Sequence, residues 1–339
     1  MSGTSLDGVD FALCRFTSDN KFELIQAKTI AYPSSWLLKL DESINLSGKD
    51  LITLDHDYGR YLGELISDFT KSCKEPIDLI SSHGHTVFHE PQNGFTLQIG
   101  NINDIYAHTN IPVINDFRSL DVSASGTGAP LVPIGDLILF PNRVCLNLGG
   151  IANISYQSNS QMIAYDVCPF NLLLNHYAQE LGFLFDKDGE LAKSGEVNLS
   201  LLEKLEQIEF YKESLPKSLD KSWIQKTYIP LIDQFNISVV DKLRTIIIHY
   251  LNRLNALNIK GKWLVTGGGA NNKFFVDLLQ EKNELEVINL DLVDFKEAII
   301  FAFLGLRRLQ NEPTTLKSVT GAHQDIVSGV VLGDVQHLY

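Results

Sequence analysis

The sequence has little of what marks secreted, membrane-spanning or nucleic-acid-binding proteins. Its four cysteines, Cys14, Cys73, Cys145 and Cys168, are scattered and lack the paired spacing of a zinc site or a disulfide framework. No run of about eighteen apolar residues occurs, and no basic stretch precedes an apolar one near Met1. The 28 basic residues are outnumbered by 41 acidic ones, and the net charge of -13 repels polyphosphate backbones. We therefore expect a cytoplasmic protein that binds neither membranes nor nucleic acids.

The length and the order of the predicted elements indicate two domains. At about 150 residues per domain, a chain of 339 residues holds two, and 44% of hydrophobic residues suffices for two cores. Strand-like and helix-like segments alternate, which favours an α/β fold. Near residue 140 the order of glycine-rich turn, hairpin strands and helices starts again. We expect a duplicated architecture with domains at 1–140 and 141–339, in which the last helix packs back toward the first domain. The alternative is that two hairpins occur by chance.

Apolar periodicity predicts individual elements that can be compared with the structure. Strands are predicted at 9–16, 22–30, 144–148, 151–156 and 162–165. Long helices are predicted at 51–73, 239–257 and 295–309.

Three glycine-rich turns at the ends of predicted strands are suited to phosphate. They read Ser-Gly-Thr-Ser-Leu-Asp-Gly-Val-Asp at 2–10, Asn-Leu-Gly-Gly-Ile-Ala-Asn at 147–153 and Thr-Gly-Gly-Gly-Ala-Asn at 266–271. Small residues let backbone N–H groups converge on an anion, and a carboxylate such as that of Asp7 can hold Mg²⁺ through water. Together the three turns predict a nucleotide held between two domains, although an ordinary hairpin turn explains the first one equally well.

Polar side chains that follow other predicted strands are candidates for a ligand site. Asp116 and Arg118 directly follow a strand, where ligands of open α/β sheets collect, although an internal ion pair is the alternative. The segment 83–89 holds three of the nine histidines in a predicted loop, and we expect it to hydrogen-bond a substrate rather than a metal. Asp166 ends a predicted strand before a helix that begins near Asn171, so its carboxylate can accept a proton or merely cap that helix.

In this order, these segments resemble the anhydro-N-acetylmuramic acid kinases of the acetate and sugar kinase, heat-shock chaperone and actin superfamily. The resemblance runs through the whole chain, from 1–10 to 318–322. It implies an α/β fold of two ribonuclease H-like domains, an actin-like ATPase duplication, flanking a central active-site cleft. It also implies an ATP-dependent reaction that opens the 1,6-anhydro ring of anhydro-N-acetylmuramic acid with water and phosphorylates O6, as a step of peptidoglycan recycling.

The resemblance also implies roles for individual residues. Asp166 would activate the attacking water, while Arg118 and Glu297 would assist at the sugar, where the guanidinium suits the lactyl carboxylate. The residues implied to bind ATP are Gly3, Thr4, Ser5, Leu6, Asp7, Gly8, Val9, Asp10, Gly149, Gly150, Gly267, Gly268, Gly269 and Ala270, with Asp7 also holding Mg²⁺ through water. The residues expected to contact the sugar are His85, Thr86, Asp116, Arg118, Asp166 and Asn171.

The sequence departs from the family pattern in places. Family members usually carry a short segment ahead of the Met-Ser-Gly-Thr-Ser run. We therefore expect either that the start of the chain is misassigned or that the first strand is largely missing, which would leave the phosphate loop weakly anchored. Phe170 stands where glycine is usual, which narrows the approach to that backbone, and Thr127 replaces a usual glutamine. Two alternatives follow: a kinase of another amino or anhydro sugar, and a non-catalytic nucleotide- or sugar-binding homologue. The family habit suggests a homodimer.

Overall fold

The computed structural model describes residues 1–3, 6, 8–17, 19–71, 73, 75–159, 161–215, 217–286 and 290–338. The strands are β1 Gly8–Phe16, β2 Phe22–Ala31, β3 Ile80–Ser81, β4 His85–Glu90, β5 Phe95–Ile99, β6 Val113–Asn115, β7 Arg143–Leu148, β8 Ile151–Ser158, β9 Gln161–Pro169, β10 Lys262–Thr266, β11 Glu284–Leu285 and β12 Val330–Leu332. The helices are α1 Ser34–Asp41, α2 Gly48–Thr70, α3 Ile102–Thr109, α4 Ser119–Ser123, α5 Val132–Leu139, α6 Asn171–Glu180, α7 Glu190–Ser194, α8 Leu199–Glu206, α9 Lys221–Asp233, α10 Val239–Ala256, α11 Lys273–Gln280, α12 Leu290–Leu309 and α13 Lys317–Thr320.

The chain is a mixed α/β protein, as the alternation of segments predicts. The predicted opening hairpin is confirmed as β1 and β2, and the long helices predicted at 51–73, 239–257 and 295–309 are confirmed as α2, α10 and α12. Local signals explain the start of two of these helices, because the hydroxyls of Ser47 and Ser238 accept hydrogen bonds from the N–H groups of Asp50 and Asp241. Among the described residues, no helix combines the length and the apolar character that a membrane span needs.

Two compact units divide the chain. The first comprises Met1–Leu139 and Glu297–Tyr339, and the second comprises Phe140–Lys296. One boundary therefore lies near residue 140, and the other falls inside α12. The C-terminal stretch that begins at Glu297, which the sequence-based division places in 141–339, packs within the first unit.

The second unit is built on one five-stranded sheet in the order β11–β10–β7–β8–β9. The central strand β7 pairs antiparallel with β8 and parallel with β10, so the meander β7–β8–β9 continues into a parallel pair. Val144, Leu146, Leu173, Ile246 and Tyr250 join β7, α6 and α10 in one buried core. In the parallel pair, the carboxyl ends of β7 and β10 lie side by side, and each is followed by a glycine-rich turn.

The first unit contains the hairpins β1–β2 and β4–β5 and a three-stranded sheet in the order β12–β6–β3. Its core joins Val9 of β1, Leu62 of α2, Ile99 of β5, Ile105 of α3 and Val113 of β6. The C-terminal strand β12 pairs antiparallel with β6, which brings the end of the chain beside the segment that contains Arg118.

Phe170 lies in the core of the second unit, and this corrects the prediction that it narrows the approach to the backbone. Its ring has no exposed surface, and its centroid lies 4.8 Å from that of Phe275 and 5.4 Å from that of Tyr250. The ring also fills the space beside Gly269, where any Cβ would collide with it. The aromatic side chain therefore stabilises the glycine turn from inside the unit.

We expect Phe170→Ala to lower the free energy of unfolding by about 3–5 kcal/mol, the usual cost of removing a buried aromatic ring. Thermal and urea denaturation measure the change. Phe183→Ala is the matched control, because Phe183 is 53% exposed and its loss should cost no more than about 0.5 kcal/mol. Equal stability of the two variants would contradict the packing of Phe170.

Candidate active site

Two glycine-rich turns of the second unit meet at the ends of β7 and β10. Asn147 and Thr266 are register partners in the parallel pair, and the turns 149–150 and 267–270 follow directly. At Gly267 the backbone has a φ of 81°, and a Cβ there would lie 2.7 Å from Asn147 Oδ1. Only glycine suits this position, because positive φ and the close neighbour both exclude a side chain. The structure thus brings together two of the three turns predicted from the sequence.

Asn171 braces the first of these two turns. Its backbone N–H donates to Gly149 O and its side-chain Nδ2 donates to Leu148 O, both at 3.1 Å. Gly150 and Gly268 remain exposed, so their backbone can be approached from solvent. The contact of Asn171 with the sugar stays a prediction, while its described bonds hold the turn.

Asp166 lies within β9 and not at the end of a strand, which corrects the sequence prediction. Pairing of β8 with β9 continues beyond Asp166, since Ala152 pairs with Cys168 and Ile151 with Pro169 across a β-bulge. The longer strand also rules out the helix-cap alternative, because Asp166 belongs to the β8–β9 ladder and not to the start of α6.

The carboxylate of Asp166 is fixed by the segment that precedes α9. The Asp166 N–H donates to Lys217 O at 3.1 Å, and the Leu219 N–H donates to Asp166 Oδ2 at 2.8 Å. Burial raises the pKa of Asp166 from 3.8 to about 6, and the bond from Leu219 opposes that rise. The group is therefore a half-buried carboxylate that changes its charge close to neutral pH.

The guanidinium of Arg118 is held by hydrogen bonds within the first unit. Its Nη1 donates to Gly128 O at 2.7 Å, and its Nε and Nη2 reach His83 Nε2 at 3.1 and 3.0 Å. Burial lowers the pKa of Arg118 to about 10, while the charges of Glu297 and Asp121 oppose this. Glu297 is thus close enough to act electrostatically on Arg118, while the role of both residues at the sugar stays a prediction. His83 lies in the histidine-rich segment that the sequence singled out, but only the fold reveals its contact with the guanidinium.

Asp116 and Asp121 hold the segment around Arg118. Asp116 has a φ of 50°, and its Oδ1 accepts a hydrogen bond from the Ser119 N–H at 3.1 Å, at the start of α4. The fully buried Asp121 accepts from the hydroxyls of Thr315 and Thr320 and from the Gly128 N–H, at 2.7 to 2.9 Å. The alternative of an Asp116–Arg118 ion pair is not what braces the loop, because these two side chains bond to other groups.

The sequence predicts a loop for the segment that contains His85 and Thr86, and the structure corrects this, because both residues belong to β4. His85 is only 4% exposed, and its Nδ1 lies 3.0 Å from the hydroxyl of Ser2, which in turn bonds to Tyr32. Burial lowers the pKa of His85 to about 4, so the ring is neutral at physiological pH. Thr86 is less buried and accepts a hydrogen bond from Gln98. The described contacts of His85 therefore support the start of the chain.

The first glycine-rich turn is described only in part, since the predicted phosphate-binding residues Thr4, Ser5 and Asp7 lie outside the described residues. Its stem is closed by an antiparallel bridge between Ser2 and Val9 and by the Asp10 N–H, which donates to Met1 O at 2.8 Å. Val9 is 2% exposed, so its side chain belongs to the core and only its backbone can face a ligand.

Comparison with known proteins identifies the family. The model of the anhydro-N-acetylmuramic acid kinase family matches residues 1–334. The chain belongs to this family. The curated anhydro-N-acetylmuramic acid kinase of Shewanella denitrificans is 35% identical over 97% of this chain and 96% of its own length. Those of Hydrogenovibrio crunogenus and Bacillus thuringiensis are 32% and 31% identical, each over at least 96% of both chains. The chain is thus a phosphotransferase of amino-sugar metabolism and peptidoglycan recycling, and the resemblance is confirmed.

Among solved structures, one similar chain is the activator of the 2-hydroxyisocaproyl-CoA dehydratase from Clostridium difficile with bound ADPNP. It is 14% identical, covers 64% of this chain and 86% of its own, and has a TM-score of 0.37.

The raised pKa of Asp166 predicts a dependence of stability on pH. A carboxyl whose pKa is higher in the folded state stabilises the fold fully below pH 3.8, and this contribution is lost as pH rises through about 6. Between pH 4 and 8, the wild type should therefore lose about 2–3 kcal/mol of unfolding free energy relative to Asp166→Asn. Urea denaturation of both proteins at the two pH values measures this. The exposed Asp68→Asn is the control, and parallel behaviour of all three proteins would show that Asp166 is not desolvated.

Proposed function

We propose that this chain is an ATP-dependent anhydro-N-acetylmuramic acid kinase that opens the 1,6-anhydro ring with water and phosphorylates O6, giving N-acetylmuramic acid 6-phosphate. The observation that carries the chemistry is the state of Asp166. Its carboxylate is oriented by the Leu219 N–H, and its pKa of about 6 lies close to the pH of the cell interior. A general base is most effective when its pKa lies near the working pH.

Asp166 is proposed as the base that takes a proton from the attacking water. Its Oδ2 accepts from Leu219, and no hydrogen bond to Oδ1 is found among the described residues, so Oδ1 is the oxygen that can receive the proton. The water oxygen then bonds to the anomeric carbon, whose bond to O6 breaks with its electron pair moving onto O6. O6 attacks the γ-phosphorus of ATP, and ADP leaves. The sugar thus gains the hydroxyl of the water and one phosphoryl group, and Asp166 then releases the remaining proton of the water to solvent.

The glycine-rich turns are proposed to hold ATP. Gly150 and Gly268 expose backbone at the ends of two adjacent strands, which suits the phosphates and the adenosine. We assign the phosphates to 3–10 and 149–150, and the adenosine to 267–270. Mg²⁺ bound to ATP neutralises phosphate charge and needs only one or two protein carboxylates besides water and phosphate oxygens. Asp7 stays the predicted residue for it. No cluster of three His, Cys, Asp or Glu side chains suited to a metal occurs in the described part of the chain.

Arg118 and Glu297 are proposed to act at the sugar. Both belong to the first unit, and the charge of Glu297 opposes the fall in the pKa of Arg118 that burial causes. A guanidinium fork suits the lactyl carboxylate, the group that distinguishes a muramic acid from a glucosamine. His85, Thr86, Asp116 and Asn171 complete the proposed sugar contacts.

The proposal includes the larger architecture implied by the resemblance. Each half would be a ribonuclease H-like domain flanking a central cleft, and the strand order of the second unit supports this for that unit. The cytoplasmic location and the homodimer also stay predictions.

Asp166→Asn should lower kcat about 100-fold or more and leave the KM for ATP and for the sugar within severalfold, because only the proton acceptor is lost. A coupled assay of ADP release with purified anhydro-N-acetylmuramic acid measures both constants. In the wild type, kcat should fall as the pH drops through about 6, since Asp166 becomes protonated. Near-normal turnover of the variant would defeat the assignment of the base.

The same assay with 1,6-anhydro-N-acetylglucosamine tests the alternative acceptor. We expect this sugar, which lacks the lactyl carboxylate, to react with a kcat/KM at least about tenfold lower, the scale of one lost charge-assisted hydrogen-bonded contact. A higher kcat/KM than that of the muramic sugar would favour a kinase of another anhydro sugar. If neither sugar supports ATP turnover, the non-catalytic homologue is favoured.

A further inference from the structure

The proposed reaction does not use the polar contact between His83 and the guanidinium of Arg118. His83 is 6% exposed, and its ring meets the edge of Phe301 with centroids 4.7 Å apart. Two nitrogens of the guanidinium, Nε and Nη2, converge on the single atom Nε2 of His83. A cation that donates two hydrogen bonds to one imidazole nitrogen needs that nitrogen to carry a lone pair.

The other side of the His83 ring explains why Nε2 carries the lone pair. Nδ1 lies 3.0 Å from Gly84 O, and a carbonyl oxygen can only accept, so Nδ1 must carry the hydrogen. The neutral ring is therefore held as the Nδ1–H tautomer. Burial and the neighbouring Arg118 both lower the pKa of His83 well below its usual value, so the acceptor persists at physiological pH.

The bonds of Arg118 also define which of its donors remain. A guanidinium has five N–H groups, and within the described residues the contacts with His83 and Gly128 engage three of them. Each of the two terminal nitrogens keeps one further N–H, and this remaining fork of two donors is available to a carboxylate. Rotation of the guanidinium would move this fork, and the contacts with His83 and Gly128 prevent that rotation.

We propose that His83 is a positioning residue that aims the fork of Arg118 at the carboxylate of the sugar, and that it thereby sets the preference for an acidic sugar. The inference rests on the proposed function, because it assumes that Arg118 binds the lactyl carboxylate. His83 itself does not touch the substrate. Its Nε2 supplies an acceptor to Arg118 at one defined position, and its Nδ1 bonds to the backbone oxygen of Gly84.

The test compares two amide variants that differ in where they place an acceptor. His83→Gln puts its side-chain oxygen near the position of Nε2, whereas His83→Asn is shorter and reaches only the position of Nδ1. The measured quantity is the kcat/KM for anhydro-N-acetylmuramic acid divided by that for anhydro-N-acetylglucosamine. We expect His83→Asn to lower this ratio about tenfold, with the KM for ATP within about twofold, and His83→Gln to retain most of it. The exposed His108→Asn is the control and should leave the ratio unchanged.

A merely structural role of His83 predicts a different pattern, since loosened packing would slow both sugars alike and leave the ratio unchanged. An unchanged ratio in a folded His83→Asn, or equal losses in both variants, overturns the inference. Arg118→Met separates a failure of the role of His83 from a failure of the proposed role of Arg118. If Arg118→Met leaves the ratio unchanged, the proposed role of Arg118 fails as well. Nitrogen-15 spectroscopy of the histidines in the wild type needs no variant to fold. An unprotonated Nε2 on His83 supports the inference, and a protonated one overturns it.

Discussion

Burial of ionisable groups against fixed partners is the constraint on which both parts of the proposed site depend. Burial raises the pKa of Asp166, and the Leu219 N–H opposes that rise. Burial lowers the pKa of Arg118, and the charge of Glu297 opposes that fall. In both cases the fold imposes a desolvation cost and offsets part of it with a preorganised partner. Such groups respond strongly to a bound charge, because little reorganisation is needed when it arrives.

Most of these partners come from distant parts of the chain. Asp166 bonds to the segment before α9, and Asp121 bonds to the hydroxyls of Thr315 and Thr320. Leu219 lies outside the helices and strands and Thr315 lies in an isolated bridge, so hydrogen bonds to these carboxylates fix the conformation of both segments. The two carboxylates differ in how many of their oxygens accept hydrogen bonds. Within the described part of the chain, both carboxylate oxygens of Asp121 accept hydrogen bonds, whereas Asp166 accepts one at Oδ2 and none at Oδ1.

Much of the fold was predictable because its signals are local. The hairpin β1–β2, the long helices and the turns at 149–150 and 267–270 follow from apolar periodicity and from glycines at strand ends. The errors have a common physical origin. Strand pairing extends β9 beyond Asp166 and places most of the histidine-rich segment in β4. Packing buries Phe170 in the core. Each outcome depends on neighbours that are remote in the sequence.

The sequence by itself determined the α/β class, the places of the glycine-rich turns and the family, because residue order and spacing carry all three. Only the tertiary structure decided how the candidate residues are held. It decided that Leu219 orients Asp166, that His83 and Gly128 orient Arg118, and that His85 is buried against Ser2. The reason is that pKa values and side-chain orientation depend on burial and on hydrogen-bond partners, and the chain acquires both only when distant segments pack together.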